Sequence, residues 1–166
     1  LVDSRPAPPL LPALHLEYVD NFVSLGQEPG AVEERVRAAS EALRSAGLPT
    51  HEPEWGAGGE TLGWTFSSLE PVVGLTPRGA WRLRLALLEL AQARSFPVDE
   101  LASVIGHFTF RALVRRELLA VLSSAYSFVE ANRGRWAVPW ESVRRELRWA
   151  AALIPLAFRR LDSPLS

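Results

Sequence analysis

Residues 14–25 read Leu14-His15-Leu16-Glu17-Tyr18-Val19-Asp20-Asn21-Phe22-Val23-Ser24-Leu25 and are closed by Gly26. The runs 14–19 and 22–25 alternate and are β-prone. Asp20 and Asn21 between them tolerate positive φ, so the stretch predicts a β-hairpin with that pair at its tip. An aspartate held at a hairpin tip by apolar strands presents a carboxylate rigidly to a divalent cation, and phosphoryl transfer uses such carboxylates to hold two metal ions. The same pair also suits a turn chosen for backbone geometry alone. Both readings stand at this point.

Upstream, Pro6, Pro8, Pro9 and Pro12 make residues 1–13 an extended lead-in without helix. Downstream, from Pro29, the period changes. Val32, Val36, Ala39 and Leu43 share one helical face, Glu33 is spaced to pair with Arg37, and Gly47 followed by Pro49 stops the helix. Residues 49–60 form a loop, 61–67 alternate as a strand, and 72–75 supply a short partner. Thr76 and Pro77 make the cap and first turn of a second helix reaching about Arg94, with Trp81, Leu85 and Leu88 as its apolar stripe. Pro97 opens a third helix with Leu101, Val104 and Ile105 inward, ending at Gly106. A fourth covers 109–132 and carries Arg111, Arg115 and Arg116 on its exposed side. The last covers 139–154, with Trp140, Val143, Leu147 and Ala151 on one stripe. Trp81, Trp136, Trp140 and Trp149 read as anchors of the helical core. The predicted class is α+β: a hairpin and two further strands packed on the 31–46 helix, then an all-helical lobe.

Composition narrows the functional classes. The 166 residues, 48% hydrophobic and 22% charged, suit one domain or two small lobes. Cysteine is absent, which removes thiolate zinc sites, redox pairs and a cysteine nucleophile. His15, His51 and His107 lie too far apart for a zinc-ligand spacing. The longest apolar run, Trp149 to Phe158, is broken by Pro155 and falls short of the roughly 20 residues that cross a bilayer. No membrane partner is expected, and the location reads as intracellular, cytoplasmic or nuclear, and not secreted. Methionine is absent even at position 1, so the chain reads as a piece of something longer. Every one of the 18 basic residues is arginine. Residues 1–70 hold four arginines against eleven carboxylates, and residues 71–166 hold fourteen against eight. This polarity suits a molecule that holds cations at one end and grips a polyanion with the other; acidic and basic faces packed on each other also produce it.

In order along the chain stand Tyr18-Val19-Asp20-Asn21, an amphipathic helix ending Gly47-Leu48, a polar loop, and Leu62-Gly63-Trp64-Thr65-Phe66 on a strand. This order resembles the last part of the palm of a reverse transcriptase, whose motif is Tyr-x-Asp-Asp. Leu62, Gly63 and Trp64 match the place of the primer grip. Thr76 and Pro77 resemble the start of the thumb. The run Val104-Ile105-Gly106-His107-Phe108-Thr109-Phe110 resembles its short-helix signature. Arg145, Glu146, Leu147, Arg148 and Trp149, with Leu153 and Pro155, resemble the segment that leads into RNase H in retrotransposon and pararetrovirus polymerases. The resemblance covers about residues 14–155 and is strongest to the long-terminal-repeat and DIRS-like retrotransposon branches.

The resemblance implies an RNA-directed DNA polymerase fragment acting by two-metal nucleotidyl transfer with Mg2+ on a primer–template. It divides the chain into a lead-in at 1–13, palm at 14–75, thumb at 76–134 and connection at 135–166. The implied partners are the primer–template and the missing fingers, first palm motif and RNase H parts of the same polyprotein. Asp20 takes the place of the metal-ligating catalytic aspartate, and Tyr18 that of the tyrosine near the primer terminus and incoming nucleotide. Asn21 stands where the second aspartate belongs; it offers a carbonyl oxygen but no charge, which lowers affinity for a hard cation. In a thumb Arg111, Arg115 and Arg116 contact phosphates, the alternative being a solvated helix face. The motif that supplies the other aspartate and the lysine after the helix have no counterpart, with His51 the only proton donor in that region. The chain by itself is therefore expected to be inactive. The alternative function is a degenerate or repurposed non-catalytic module that binds nucleic acid or protein.

Overall fold

The structure, a computed structural model, describes residues 13–18, 21–26, 28–67, 69–70 and 72–160. The chain divides into two compact units, Leu1–Trp55 and Gly56–Ser166.

In the first unit, β1 (Ala13–Tyr18) and β2 (Asn21–Gly26) form an antiparallel pair, and α1 (Pro29–Ser45) packs on both strands. The expected hairpin is there, but its register differs. Asn21 is a strand residue opposite Tyr18, not half of the turn. The observed pairing sets Leu14 opposite Leu25 and Leu16 opposite Val23, and apolar cross-strand matches of this kind are what fix a register. Pro29 opens α1 with φ already suited to a helix. Gly47, at φ 78°, closes it: the Gly47 amide donates to Arg44 O at 2.9 Å and the Leu48 amide to Leu43 O at 3.0 Å. These two bonds satisfy carbonyls that the helix end leaves open, and only a residue tolerant of the left-handed region can supply them. Glu33 and Arg37 pair at 2.6 Å, as their spacing predicts.

The second unit has a four-stranded antiparallel sheet of β3 (Gly59–Thr61), β4 (Trp64–Phe66), β5 (Val72–Leu75) and β8 (Phe158–Arg160), in that order. Between β5 and β8 come α2 (Pro77–Gln92), β6 (Phe96–Pro97), α3 (Val98–Ala112), a 3-10 helix (Arg116–Leu122), α4 (Ser123–Asn132), β7 (Trp136–Ala137), α5 (Glu141–Leu153) and a 3-10 turn (Ile154–Leu156). The class is mixed α+β, as predicted. The lobe is not all-helical, however, since β6 pairs with β7 and the C-terminal β8 pairs with β5. Nor do β3, β4 and β5 fall with α1. Their sheet is completed by β8, Trp64 meets Phe110 of α3, and Leu75 packs on the helical core.

The helix boundaries follow burial more than local propensity. In α3 the side chains of Val98, Leu101, Ile105, Phe108 and Ala112 form one buried stripe, so the helix runs through the exposed Gly106 and ends six residues beyond the predicted stop. A glycine inside a helix costs about 1 kcal/mol, less than that stripe gains. The predicted 109–132 helix is accordingly split into the end of α3, the 3-10 helix and α4. In α2 the start holds but the stripe does not: Leu83, Leu87, Leu90 and Ala91 are buried, whereas Trp81 and Leu85 of the expected stripe are exposed. Pro77 is its first residue, and the Thr76 hydroxyl accepts a hydrogen bond from the Gly79 amide at 3.3 Å. Thr76→Ala is expected to lower the unfolding free energy by about 1 kcal/mol, measured by urea denaturation; an unchanged midpoint would show that the cap is idle.

Arg144 closes the other end of α2. Its guanidinium donates to Ala91 O at 3.0 Å and Arg94 O at 3.4 Å, which sets α5 antiparallel to α2 and places a cation at a helix C-terminus. The tryptophans correct the sequence reading. Trp81, Trp136, Trp140 and Trp149 are between 45% and 72% exposed, and the core is filled by residues such as Leu87, Leu101, Phe108, Phe128 and Leu147. Trp140 still meets Phe128 edge-on at 5.2 Å, whereas Trp81 and Trp149 carry the guanidinium groups of Arg84 and Arg145 at 5.7 and 5.3 Å. Helical periodicity marked Trp81 and Trp140 as part of apolar stripes, but among the described residues no neighbouring element covers them fully. No helix among the described residues is long and apolar enough to cross a membrane.

Candidate nucleic-acid interface

Leu62 and Gly63 form the two-residue turn between β3 and β4, with φ of 51° and 82°. Two successive left-handed residues match the twist of the flanking strands. For Leu62 the conformation costs of order 1 kcal/mol, because its Cβ crowds the following carbonyl. Among the described residues no other non-glycine has positive φ. The turn is docked onto the start of α2, where the Thr76 amide donates to Gly63 O at 3.2 Å.

The same place receives the end of α3. Phe110 meets the Trp64 ring at 5.9 Å between centroids, and the next residue, Arg111, extends its guanidinium over the first turn of α2. A Cβ at Gly79 would collide with Arg111 Nη1, and one at Gly63 would stand 3.9 Å from Nη2. Gly79 therefore admits the guanidinium close to backbone, while at Gly63 a side chain would make only ordinary contact with it. Arg111 Nη1 is buried and has no hydrogen-bond partner. Burial first, and then the neighbouring Arg82 charge, lower the pKa of Arg111 from its ordinary value. A guanidinium stays protonated through such a shift. The Arg111 guanidinium and the positive end of α2 thus meet beside the Leu62-Gly63 turn, with the Arg82 charge within electrostatic reach of Arg111, a concentration of positive potential that favours an anion.

The other candidate residues are placed differently. Arg115 Nη1 donates to Leu156 O at 3.4 Å, and Arg116 is exposed at the start of the 3-10 helix. Asp20 lies outside the described residues. Tyr18 and Asn21 are placed by backbone as opposed residues of β1 and β2. Among the described residues no group of three or more His, Cys, Asp or Glu is positioned to hold a metal ion. The Mg2+ expectation rests on the resemblance alone.

Sequence reasoning singled out Leu62, Gly63 and Trp64 as one group and Arg111 as part of another, and the structure sets Arg111 beside that group. It missed Gly79 and Arg82. Their spacing of three on α2, immediately after the Thr76-Pro77 cap, was the available signal, since residues three apart share a helix face.

Glu146, from the segment resembling the approach to RNase H, has a structural task. Its carboxylate accepts from the amides of Ser124 and Ala125, both at 2.9 Å, and so caps α4 from another helix. The cap is needed because Leu122 precedes α4 and has no side-chain oxygen to offer. No protein-family model, curated protein or solved structure matches the chain.

Proposed function

We propose that the chain is the palm-end, thumb and connection part of a reverse-transcriptase-like polymerase, and that its second unit grips the sugar–phosphate backbone of a primer–template. One observation carries this reading: the Arg111 guanidinium, with no hydrogen-bond partner at Nη1, is set against the Leu62-Gly63 turn and the first turn of α2. A phosphate oxygen is an acceptor suited to the remaining donors of this cation, Nη1 itself being buried against Gly79. The strained Leu62 backbone supports the reading, since such strain collects where geometry serves binding. Arg116 extends the basic surface, while Arg115 is partly engaged by a carbonyl. Asn21 in place of a second aspartate favours a second reading, in which the grip persists without nucleotidyl transfer.

The test is binding of the full chain to a primer–template duplex across a salt series. Affinity should fall steeply with salt, and Arg111→Ala should flatten the logarithmic salt slope by about one unit. Arg116→Ala should weaken binding uniformly across sequences. Absence of binding at low salt, or a slope untouched by Arg111→Ala in a variant with an unchanged circular dichroism spectrum, would sink the proposal.

A further inference from the structure

The second unit carries another concave site, of opposite charge. A groove of about 460 Å³ runs between the C-terminal half of α2, β6, the start of α3 and β7. Its walls include Glu89, Phe96, Pro97, Glu100, Val104 and Trp136. No arginine lines it, although every basic residue of the chain except histidine is arginine and fourteen of the eighteen lie in residues 71–166. Glu89 and Glu100 are exposed, and among the described residues neither carboxylate has a hydrogen-bond or ion-pair partner.

Trp136 is 72% exposed, yet its backbone is held on both sides. It pairs with Pro97 across β6 and β7, the Val98 amide donates to Arg135 O at 2.9 Å, and the Gly134 amide donates to Asp99 Oδ1 at 3.3 Å. The indole is thus presented to solvent on a fixed frame. The exposed indole stands beside the apolar walls of the groove, and an aromatic next to a pocket is the kind of anchor on which interfaces are built.

We propose that this groove docks an arginine-bearing peptide segment of a partner protein. The guanidinium plane stacks on the Trp136 indole, Glu89 and Glu100 supply its counter-charge, and the apolar floor takes the methylene stem and a neighbouring apolar residue. The carboxylates repel phosphate, so the nucleic acid proposed for the Arg111 site does not compete for this one. Charge complementarity selects the occupant: two unpaired acids and an exposed aromatic, with no base among the lining residues.

The experiment is fluorescence anisotropy of the full chain with a labelled heptapeptide, Ala-Pro-Leu-Arg-Leu-Pro-Ala, and with its counterparts carrying Gln or Glu at the centre. The arginine peptide should bind, and binding should weaken at least about tenfold in Trp136→Ala, in the double variant Glu89→Gln with Glu100→Gln, and when the central arginine becomes Gln. All the substituted residues are exposed, and a retained circular dichroism spectrum confirms the fold. Equal affinity for the Gln peptide, or binding indifferent to both variants, overturns the proposal. So does concentration-dependent self-association lost in Trp136→Ala, which would make a second copy of the chain the occupant.

Discussion

Phe108→Ala lowers the unfolding free energy of the second unit by about 4 kcal/mol, the largest effect expected of any single substitution considered for this chain. Phe108 is 1% exposed in the stripe by which α3 enters the core, together with Val98, Leu101, Ile105 and Ala112. Truncation removes the transfer free energy of a benzyl group and leaves a cavity that the surrounding helices fill only in part. Against a typical total of 5–15 kcal/mol the loss brings the unit close to unfolding, with a fall in melting temperature of roughly 15 °C. Phe110, two residues on, is 37% exposed and touches Trp64 from the rim of the core. Its alanine variant should cost about 1 kcal/mol, set by one partly exposed ring contact. Urea unfolding of the two variants side by side decides the matter. Equal losses would mean that α3 does not enter the core by the face described.

Glu146→Ala ranks second, at about 3 kcal/mol. The residue is 8% exposed, and among the described residues it is the single buried charged side chain. Its two oxygens each accept one amide of the α4 N-terminus. Removing the carboxylate strands two N–H groups, one fully buried, and each unsatisfied donor costs about 1–3 kcal/mol. The favourable interaction of an anion with the helix N-terminus is lost as well. Glu146→Gln keeps a single acceptor oxygen and should lose less, about 2 kcal/mol. Thermal denaturation followed at 222 nm separates the three forms, and a loss below about 1 kcal/mol in the alanine variant would show that α4 finds another cap. The nearby Arg148–Glu141 pair, exposed at 3.6 Å, provides a contrast: Glu141→Ala should leave the midpoint nearly unchanged.

Part of the candidate site is legible in the sequence and part is not. The Thr76-Pro77 cap and the arginine row beginning at Arg111 each carry a local signal of composition or spacing, whereas Leu62 and Gly63, expected inside one strand over 61–67, are the turn between β3 and β4. Nothing local says that Arg111 reaches back over α2, because that contact depends on α3 running past Gly106 to Ala112. The extension is decided by burial of Phe108 and Ala112, a tertiary gain that outweighs the propensity of one glycine. Arg144 illustrates the converse. In sequence it opens the arginine-rich run 144–148, whereas in the fold its guanidinium donates to the carbonyls of Ala91 and Arg94. The tryptophans went astray for a related reason. A helical stripe identifies an apolar face, but only the arrangement of neighbouring elements decides whether anything covers it.

By itself the sequence determined the elements whose signals lie within a few residues: the alternation that makes β1 and β2, the Gly47 stop of α1, and the Thr76-Pro77 start of α2. Tertiary structure alone decided the hairpin register that moves Asn21 into a strand, the pairing of β8 with β5, the cap that Glu146 lends to α4, and the meeting of Arg111 with the Leu62-Gly63 turn. The physical reason is common to these four. Each satisfies polar groups or apolar faces with partners distant in sequence or across a strand pair, and the energy of such a match exists only once the chain has brought them together.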